Sequence, residues 1–372
     1  MKKQNEQRLV PQLRFKGFNE DWEQCKLKDI LKVNSGRNYK HLAKGDIPVY
    51  GTGGLIARVD DFLSNQPAVG LGRKGTIDNP FFLEPPFWTV DTLFYLTSEK
   101  DNHINFIFYL LLRIRWKKYD ESTGVPSLSK KTIENINVFS TKFEEQIKIA
   151  KILEKINDLI NLHNKKLKFL KKLENAYSVC LFAFKSNAPL VRFSNFNNDW
   201  EMFKVKDLFT VTRGQVLSVD KISKFKTDNN KFPVYSSQTH NNGLLGYYHD
   251  FLFDTAITWT TDGANAGTVK FRSGKFYSTN VNGVLISDDG YACEAVAKII
   301  EKETPRWVVR VGNPKLMNNV MSDITIKISS DVNELEKISN IFVKINTLIE
   351  LEKDIIEKYE NLKKEYLNYL FI

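Results

Sequence analysis

Two short stretches of the chain combine residue types that could serve in catalysis. YGTGG at 50–54 is a glycine turn of the kind that can hold S-adenosylmethionine, and EPPF at 84–87 has the form of a Pro-Pro-aromatic active site for adenine methylation. Such an active site needs Asn or Asp before the two prolines, because that side chain accepts a hydrogen bond from the adenine amino group. Glu84 is longer and misplaces the acceptor. A glycine-rich turn alone is weak support, so an intrinsic methyltransferase remains only an alternative.

Other catalytic constellations are not found in the sequence. No GxxxxGK[ST] motif occurs, which argues against a P-loop ATPase. The carboxylates are scattered, without a convincing nuclease cluster. Histidines occur at positions 41, 103, 163, 240 and 249, without metal-ligand spacing. Cys25, Cys180 and Cys293 are far apart, so neither a disulfide framework nor a zinc site is expected, and a reducing cytoplasm fits. We predict a non-catalytic chain that holds no metal or cofactor of its own.

Polar side chains in turns rich in Gly and Asn are the remaining candidates, and their chemistry suits recognition of nucleic acid. Arg, Lys, Asn, Gln, Ser and Thr can pair with base edges in the major groove, and glycine turns let the backbone approach phosphate. In the first half we predict DNA contacts by Arg37, Asn38, Tyr39, Lys40, Thr52, Arg73, Lys74, Thr76, Arg113, Arg115 and Lys117. In the second half we predict contacts by Arg213, Gln215, Ser237, Gln238, His240, Asn241, Asn242, Thr260, Asn265, Arg272 and Lys275.

Composition agrees with a polyanionic partner such as double-stranded DNA. The 372 residues carry a net charge of +10, and most of the excess lies in the first half. A hydrophobic content of 42% is enough for two or three folded domains. No apolar run approaches the length of a membrane span, and the two lysines near the N-terminus are not followed by an apolar segment. These features predict a cytoplasmic location without a membrane partner.

An internal repeat determines the organisation of the chain. PQLRFKGFNEDWEQCKLKDILKVNSG at 11–36 matches PLVRFSNFNNDWEMFKVKDLFTVTRG at 189–214 at 13 of 26 positions without a gap. Further matches follow in the same order: PVY at 48–50 and 233–235, and KINDLI at 155–160 with KINTLI at 344–349. GTI at 75–77 resembles GTV at 267–269. The chain is therefore a tandem duplication of two domains, because a period near 185 residues is too long for a solenoid.

Each half reads as short strands with Gly, Asn and Asp turns, followed by a long helix. Residues 143–184 and 333–370 contain neither Pro nor Gly and would form rods of about 63 Å and about 57 Å. An apolar stripe includes Ile149, Ile156 and Leu159 in the first helix, and Ile338, Ile345 and Leu348 in the second. His163 and Glu352 occupy equivalent places in the stripes. The expectation is that both lie at an exposed bend rather than setting the register of the helix pair.

Together these features resemble the DNA-specificity subunit of type I restriction–modification enzymes. The likeness rests on W-E-x-x-K-[LV]-K-D at 22–29, GRKGT at 72–76, and PSLSKKTIENINV at 126–138 leading into FEEQIKIAKILEKINDLI at 143–160. It covers nearly the whole chain. The second half departs from the first because it has DGANAGT for GRKGT and lacks the Glu145–Gln146 pair.

The resemblance implies an α+β fold: two target-recognition domains with mixed β-sheet and short helices, joined by two long helices packed as an antiparallel coiled coil. The expected division is 1–142 for the first recognition domain, 143–187 for the first spacer helix, 188–332 for the second recognition domain and 333–372 for the second spacer helix. It also implies two methylation subunits that carry S-adenosylmethionine, and restriction subunits that use ATP and Mg²⁺. The chain would direct both to a bipartite asymmetric site. The alternatives are the intrinsic adenine methyltransferase and a coiled-coil scaffold without DNA function.

Overall fold

The computed structural model describes residues 9–99, 101–184, 186–237 and 240–372. The chain divides into two compact units, each of which contains one globular domain and a part of both long helices. The first unit comprises Met1–Asn164 and Asp354–Ile372, and the second comprises Lys165–Lys353. The globular parts are called the first and the second domain below. In the described residues no helix is long and apolar enough to cross a membrane.

The first domain begins with a short strand and a single helical turn. In chain order its elements are β1 (Glu23–Lys26), α1 (Leu27–Ile30), β2 (Leu31–Ser35), β3 (Ile47–Gly51), β4 (Gly54–Val59), β5 (Ala68–Gly72), β6 (Phe81–Leu83), β7 (Trp88–Thr89), β8 (Leu93–Ser98), α2 (Ile104–Arg113), α3 (Lys130–Glu134), β9 (Asn137–Ser140) and then the long helix α4 (Phe143–Leu181). Strands β2, β8, β5 and β6 form an antiparallel sheet in that order, and β4, β3 and β7 form a second sheet in which β3 and β7 are parallel. β1 pairs with β9.

The second domain repeats this order with a more continuous sheet. Its elements are β10 (Glu201–Lys204), α5 (Val205–Leu208), β11 (Thr210–Arg213), β12 (Phe232–Tyr235), β13 (Leu244–Tyr248), β14 (Phe253–Thr260), β15 (Val269–Ser278), β16 (Asn282–Ile286), α6 (Glu294–Glu303), α7 (Asn318–Asp323), β17 (Thr325–Ile328) and the long helix α8 (Val332–Tyr369). Six strands form one sheet in the order β11, β16, β14, β15, β12 and β13, with β12 and β15 parallel. The strand β15 runs unbroken where the first domain has β6 and β7, separated by 84–87.

The two domains use the repeated Asp to form the same short helix. Asp29 accepts a hydrogen bond from the backbone N–H of Lys26 at 2.8 Å, which caps α1. Asp207 accepts one from the N–H of Lys204 at 3.0 Å and caps α5 in the same way. The identity of this Asp in both halves is thus explained by a cap that starts one helical turn.

A bidentate ion pair fastens the opening segment of each domain to the start of its long helix. Arg14 donates to both oxygens of Glu145, at 2.8 and 2.9 Å. Arg192 does the same with Glu334, at 2.7 and 2.9 Å. The second half lacks the Glu-Gln pair of the first, but Glu334 is the third residue of α8 as Glu145 is of α4, and it takes over the ion pair. The indole N–H of Trp200 also donates to Glu334, at 3.1 Å.

Contacts inside each unit show that the helices α4 and α8 run antiparallel. In the first unit, Asn157 accepts a hydrogen bond from Lys363, and His163 stacks on Tyr359 with ring centroids 5.6 Å apart. In the second unit, the ammonium of Lys166 lies 2.6 Å from a carboxylate oxygen of Glu352, and Leu170 packs with Ile345 and Ile349. Positions that rise along α4 meet positions that fall along α8, so the predicted fold class is confirmed.

The buried faces of the helices differ in part from the predicted stripes. In α4 the buried residues include Leu153 and Ile160, beside the predicted Ile149 and Ile156. In α8 they include Phe342 and Ile349, whereas the predicted Leu348 is exposed. The expectation of an exposed bend was wrong for Glu352, which is completely buried and forms the ion pair with Lys166.

Candidate nucleic-acid interface

In the first domain, the segment 89–92 between β7 and β8 gathers two of the predicted polar loops. The backbone N–H of Arg37 donates to the carbonyl of Thr89 at 2.8 Å, and that of Arg73 donates to the carbonyl of Thr92 at 2.8 Å. Both loops are therefore held by main-chain bonds that do not depend on the type of their side chains. Other side chains could therefore replace Arg37 and Arg73 and recognise different groups without a change in the loop backbone.

The turn between β3 and β4 joins the same place. The backbone N–H of Val90 donates to the carbonyl of Tyr50 at 3.0 Å, which brings Thr52 to the loops of Arg37 and Arg73. A Cβ atom built on Gly75 would lie 3.9 Å from the hydroxyl of Thr52. Three turns that are separated in sequence therefore meet at one surface. This surface, formed by 36–40, 51–54 and 72–76, is called the first cluster.

The first cluster is exposed and basic. The exposed members are Arg37, Asn38, Lys40, Arg73, Lys74 and Thr76, and the half-buried members are Tyr39 and Thr52. Among the described residues, no carboxylate lies within ion-pair distance of Arg37, Arg73 or Lys74. The guanidinium of Arg73 lies over the ring of Phe94, 5.8 Å from its centroid. Cations without an internal counter-ion are available to phosphates or to guanine.

A glycine turn in each domain fixes the loop that follows β5 or β14. Gly75 has φ +91°, and its N–H donates to the carbonyl of Pro126 at 2.8 Å. Gly263 has φ +93° and donates to Pro314 at 2.9 Å. The structural counterpart of Gly75 is therefore Gly263, and the sequence match of Gly75 with Gly267 was wrong. The second domain carries extra residues after the shared turn, which displaced the alignment by four positions.

The basic stretch around Trp116 divides into two parts. The guanidinium of Arg113 donates to the carbonyl of Ile372 at 2.8 Å and lies over the ring of Phe371, so it holds the end of the chain. The structure does not place Arg113 in the first cluster. Lys117 is exposed and lies 2.8 Å from Asp78 in the loop after β5, an ion pair that raises the pKa of Lys117. Arg115 is exposed.

The second domain gathers its polar loops at the corresponding segment, 278–282. The backbone N–H of Gln215 donates to the carbonyl of Ser278 at 3.0 Å, as Arg37 does to Thr89 in the first domain. The guanidinium of Arg213 donates to the carbonyl of Asn280 at 3.1 Å. This surface, formed by 213–215, 236–237, 240–243 and 261–268, is called the second cluster.

The loop 236–243 and the turn 261–268 contribute most of the other predicted contacts in this domain. Thr279 donates its N–H to the carbonyl of Tyr235 at 3.0 Å, which places the described ends of the loop, 236–237 and 240–243, at the segment 278–282. In that loop Asn241 and Asn242 are exposed and Ser237 is half-buried, while Gln238 and the side chain of His240 lie outside the described residues. Asn265 is exposed in the turn 261–268.

A glycine at the same position in each repeat lets the first loop approach its anchoring segment. A Cβ atom on Gly36 would lie 2.0 Å from the carbonyl oxygen of Val90. On Gly214 it would lie 2.2 Å from that of Ser278. Any side chain would collide with backbone there, so both repeats have glycine just before the exposed polar residue.

Three of the predicted residues of the second half lie away from the exposed surface of the second cluster. Thr260 is 7% exposed, and its backbone pairs with Thr268 and Gly267. Lys275 is exposed but lies at the opposite end of the β14–β15 hairpin, over the ring of Phe251. Arg272 is 5% exposed, and burial lowers the pKa of its guanidinium to about 10. Arginines in a polar stretch are usually exposed, and the sequence carried no sign of this burial.

One basic residue beside the second cluster was missed. Lys315 exchanges backbone hydrogen bonds with Val309, and its ammonium lies 3.9 Å from Asp262 in the turn 261–268. The sequence signal that could have found it is the match of PKL at 314–316 with PSL at 126–128, the segment that holds Gly75. Lys74 of the first domain corresponds to Asp262 here, which reverses the charge at this position.

The stretches that suggested a methyltransferase have ordinary structural roles. The residues 50–54 form the hairpin turn between β3 and β4. The residues 84–87 interrupt a strand between β6 and β7, and Phe87 is fully buried, paired by backbone with Ser64. Within the described residues, no group of three or more His, Cys, Asp or Glu could hold a metal ion.

Two similar folds with matching polar clusters define a tandem recognition protein. The model of the family described as the type I restriction modification DNA specificity domain matches residues 19–172 and 197–361. The chain therefore belongs to this family, and it is a DNA-specificity subunit of a type I restriction–modification system. Such a subunit is non-catalytic, since the catalysis lies in partner subunits. The predicted family, fold class and non-catalytic role are confirmed.

Individual relatives agree with the family. A Mycoplasma pneumoniae protein described as a type I specificity subunit is 30% identical over 258 residues, which are 66% of this chain and 92% of the relative. The specificity subunit of the type I restriction enzyme MpnII of the same organism is 35% identical over 178 residues, 44% of this chain and 53% of that subunit. The crystal structure of the type I S subunit from M. genitalium has the same fold, with a TM-score of 0.79 at 14% identity, covering 98% of this chain and 99% of that one.

Proposed function

We propose that the chain reads a bipartite, asymmetric sequence in double-stranded DNA, with the first cluster on one half-site and the second cluster on the other. One observation carries this proposal. The same backbone hydrogen bond positions Arg37 in the first domain and Gln215 in the second. Arg pairs best with guanine and Gln with adenine. The two loops have equivalent backbone hydrogen bonds but different side chains, as expected of two domains that read different bases.

Charge supports DNA as the ligand. The first cluster presents Arg37, Arg73 and Lys74 without internal counter-ions in the described part of the chain. Neutralised phosphates release counter-ions, so affinity should fall steeply as salt concentration rises. The contacts predicted from the sequence belong to this proposal where the structure places them at the two clusters. Arg113, Thr260 and Lys275 lie elsewhere, and the buried Arg272 receives another role below.

We further propose the partners and their cofactors. Two methylation subunits would dock on the region of α4 and α8 and carry S-adenosylmethionine. Restriction subunits using ATP and Mg²⁺ would join that core in the cytoplasm, where the DNA is. The specificity chain itself would hold no cofactor.

Methylation mapping tests the proposed site. The chain is expressed with its methylation partner, and the modified bases of the host genome are mapped by long-read sequencing. The expected result is a split motif whose two halves differ. A single continuous palindrome would contradict the proposal.

Two further measurements separate the alternatives. The purified chain, proven free of partner subunits, is titrated calorimetrically with S-adenosylmethionine and with Mg²⁺, and is assayed for methylation and cleavage of DNA. No binding and no activity are expected, and methyl transfer by the chain alone would establish the methyltransferase alternative. A complex whose affinity for DNA is weak and independent of salt would instead support the scaffold alternative.

A further inference from the structure

Arg272 is a buried cation in the second domain whose contacts lead to an exposed loop. Its Nε donates to the hydroxyl of Thr258 at 3.2 Å, and its Nη1 donates to the backbone carbonyl of Asn242 at 2.8 Å. The guanidinium stacks over the ring of Tyr235, 3.8 Å from the centroid. Among the described residues, no carboxylate lies within ion-pair distance of it. The shorter of these two hydrogen bonds is thus the one to the backbone of Asn242, in an exposed loop.

The first domain shows that the fold does not require a cation here. Arg272 pairs with Ala256 in the β14–β15 hairpin, and Leu83 pairs with Ala68 at the corresponding place between β5 and β6. Leu83 is fully buried. Burying a charge without a counter-ion is unfavourable, and an apolar side chain of similar size is often as stable or more so. The arginine therefore has a role at this position that a leucine could not perform.

The loop that Arg272 contacts has an unusual backbone. Asn241 and Asn242 both have positive φ, 49° and 52°, in the left-handed region that few residues other than glycine adopt and in which Asn is enriched. The loop is closed by a hydrogen bond from the N–H of Ser236 to the carbonyl of Gly243, at 2.9 Å. Both Asn side chains are exposed. Residues in this sparsely populated region persist when surrounding structure holds them, and they gather at ligand-binding sites.

We infer that Arg272 is a positioning residue for base reading, which holds the carbonyl of Asn242 so that Asn241 and Asn242 present their side-chain amides to adenine in the second half-site. Asn forms a bidentate pair with adenine N6 and N7 in the major groove. Such a pair requires a fixed backbone, and the guanidinium supplies this from beneath the loop. This inference rests on the proposed function, because it assumes that the second cluster meets DNA.

The variant Arg272→Met removes the cation and keeps an apolar stem that can fill the site. Arg272→Lys keeps the charge but cannot donate to Thr258 and Asn242 in the same planar geometry. Lys302→Met is the matched control, since it removes one positive charge from the same domain, at a side chain on α6 that lies over the ring of Phe184. All are compared as the full chain in complex with the methylation partner.

The readout is selection from a random duplex library, followed by affinity measurements on the selected site and on versions with substituted bases. With Arg272→Met, discrimination of adenine in the second half-site is expected to fall by about tenfold or more. The discrimination of adenine by Arg272→Lys should lie between that of Arg272→Met and that of the wild type. The first half-site and the Lys302→Met control should be unchanged. A purely structural role would lower the amount of folded second domain and would weaken binding at every base of the second half-site, without a selective loss at adenine.

A double-mutant cycle tests the connection to the loop. Asn241→Gly with Asn242→Gly removes both amides while allowing positive φ and keeping the carbonyl that Arg272 contacts. If Arg272 acts through these side chains, adding Arg272→Met to this pair should give little further loss of adenine discrimination. Losses that simply multiply would overturn the inference.

The outcomes distinguish the inference from the function on which it rests. A wild-type complex that selects no bipartite motif would contradict the proposed function. A wild-type bipartite motif together with full discrimination by Arg272→Met would overturn the inference alone. Thermal unfolding of each variant complex confirms that only folded protein is compared.

Discussion

Phe371, two residues beyond the end of α8, lies edge-on to Trp22, with ring centroids 6.1 Å apart and an angle of 81° between the rings. The first domain thus takes part of its core from the far end of the chain. In the second domain, Phe182 at the end of α4 lies 6.5 Å from Trp200, the counterpart of Trp22 in the repeat. Each recognition domain is therefore completed by the terminus of the long helix that follows the other repeat.

Truncating these rings should destabilise one domain each. Phe371→Ala removes a buried ring and is expected to lower the stability of the first domain by about 3–5 kcal/mol. The matched variant Phe182→Ala should do the same to the second domain. Denaturant unfolding followed by hydrogen exchange measures this for each domain. A loss below about 1 kcal/mol for Phe371→Ala would show that the contact is dispensable.

The first cluster should control one half-site only. Arg37→Ala and Arg73→Ala are each expected to weaken binding at the first half-site by about 1–3 kcal/mol if the residue reads a guanine. Lys32→Ala, an exposed cation on β2, is the control for charge. Affinities of the complex for duplexes with substitutions in either half provide the measurement. Equal loss on all sequences would make the arginines phosphate contacts, and no loss for either would refute their assignment.

Removing one partner of the buried ion pair in the second unit should lower the stability of the second domain strongly. Replacing both partners by apolar residues should lower it less. Glu334→Ala leaves Arg192 without its partner and should destabilise the second domain by about 3–5 kcal/mol. Replacing both, as Arg192→Met with Glu334→Leu, should restore part of that loss, because desolvation of two charges is avoided while the indole N–H of Trp200 loses its acceptor. Chemical denaturation measures the two variants. If the double variant were as unstable as the single one, the ion pair would contribute specific geometry that apolar packing cannot replace.

Lengthening the helices should change the gap in the recognised site. Both α4 and α8 pass from one compact unit to the other, at Asn164 and at Lys353. Insertion of four residues at both points keeps the helix pairing within each unit and adds about 6 Å and a rotation of about 40°. Methylation mapping should then show a longer gap between unchanged half-sites. Insertion into α4 alone is the control. The unchanged length of α8 should oppose the lengthening of the gap in that variant. An unchanged gap after the double insertion would refute the role of the helices as spacers.

The fragment 1–187 should form a homodimer. It lacks the segment 354–372, which supplies Phe371 to the first domain, but the end of its own α4 carries Phe182 at the equivalent position. A second copy can place Phe182 against Trp22, and a two-fold pairing closes on itself. Sedimentation should show the dimer, and methylation mapping with the partner should show the first half-site twice as an interrupted palindrome.

The variant Phe182→Ala of this fragment provides the control, and its dimer should be weakened. A monomeric, folded fragment would show that the helix ends do not complete the domain. A dimer that still read the original asymmetric site would show that the first domain does not determine its half-site.

The sequence alone predicted the features that recur or are periodic. The repeated Trp22 and Trp200 indicated two equivalent domains, and the long segments without Pro or Gly indicated α4 and α8. The exposed polar turns around Arg37 and Arg73 were also predicted, since turn residues and glycines act through local backbone geometry. Repeats, caps and helix periodicity are local properties of the chain, which is why a sequence can display them.

Tertiary structure decided which of the polar residues are buried and what they contact. Arg272 and Glu352 stand among polar neighbours in the sequence, yet both are buried, because strands and helices far away in the chain cover them. The match of Gly75 with Gly263 became visible only through the shared hydrogen bonds to Pro126 and Pro314. Burial and long-range pairing depend on neighbours brought together by folding, and the order of residues does not encode them as a local pattern.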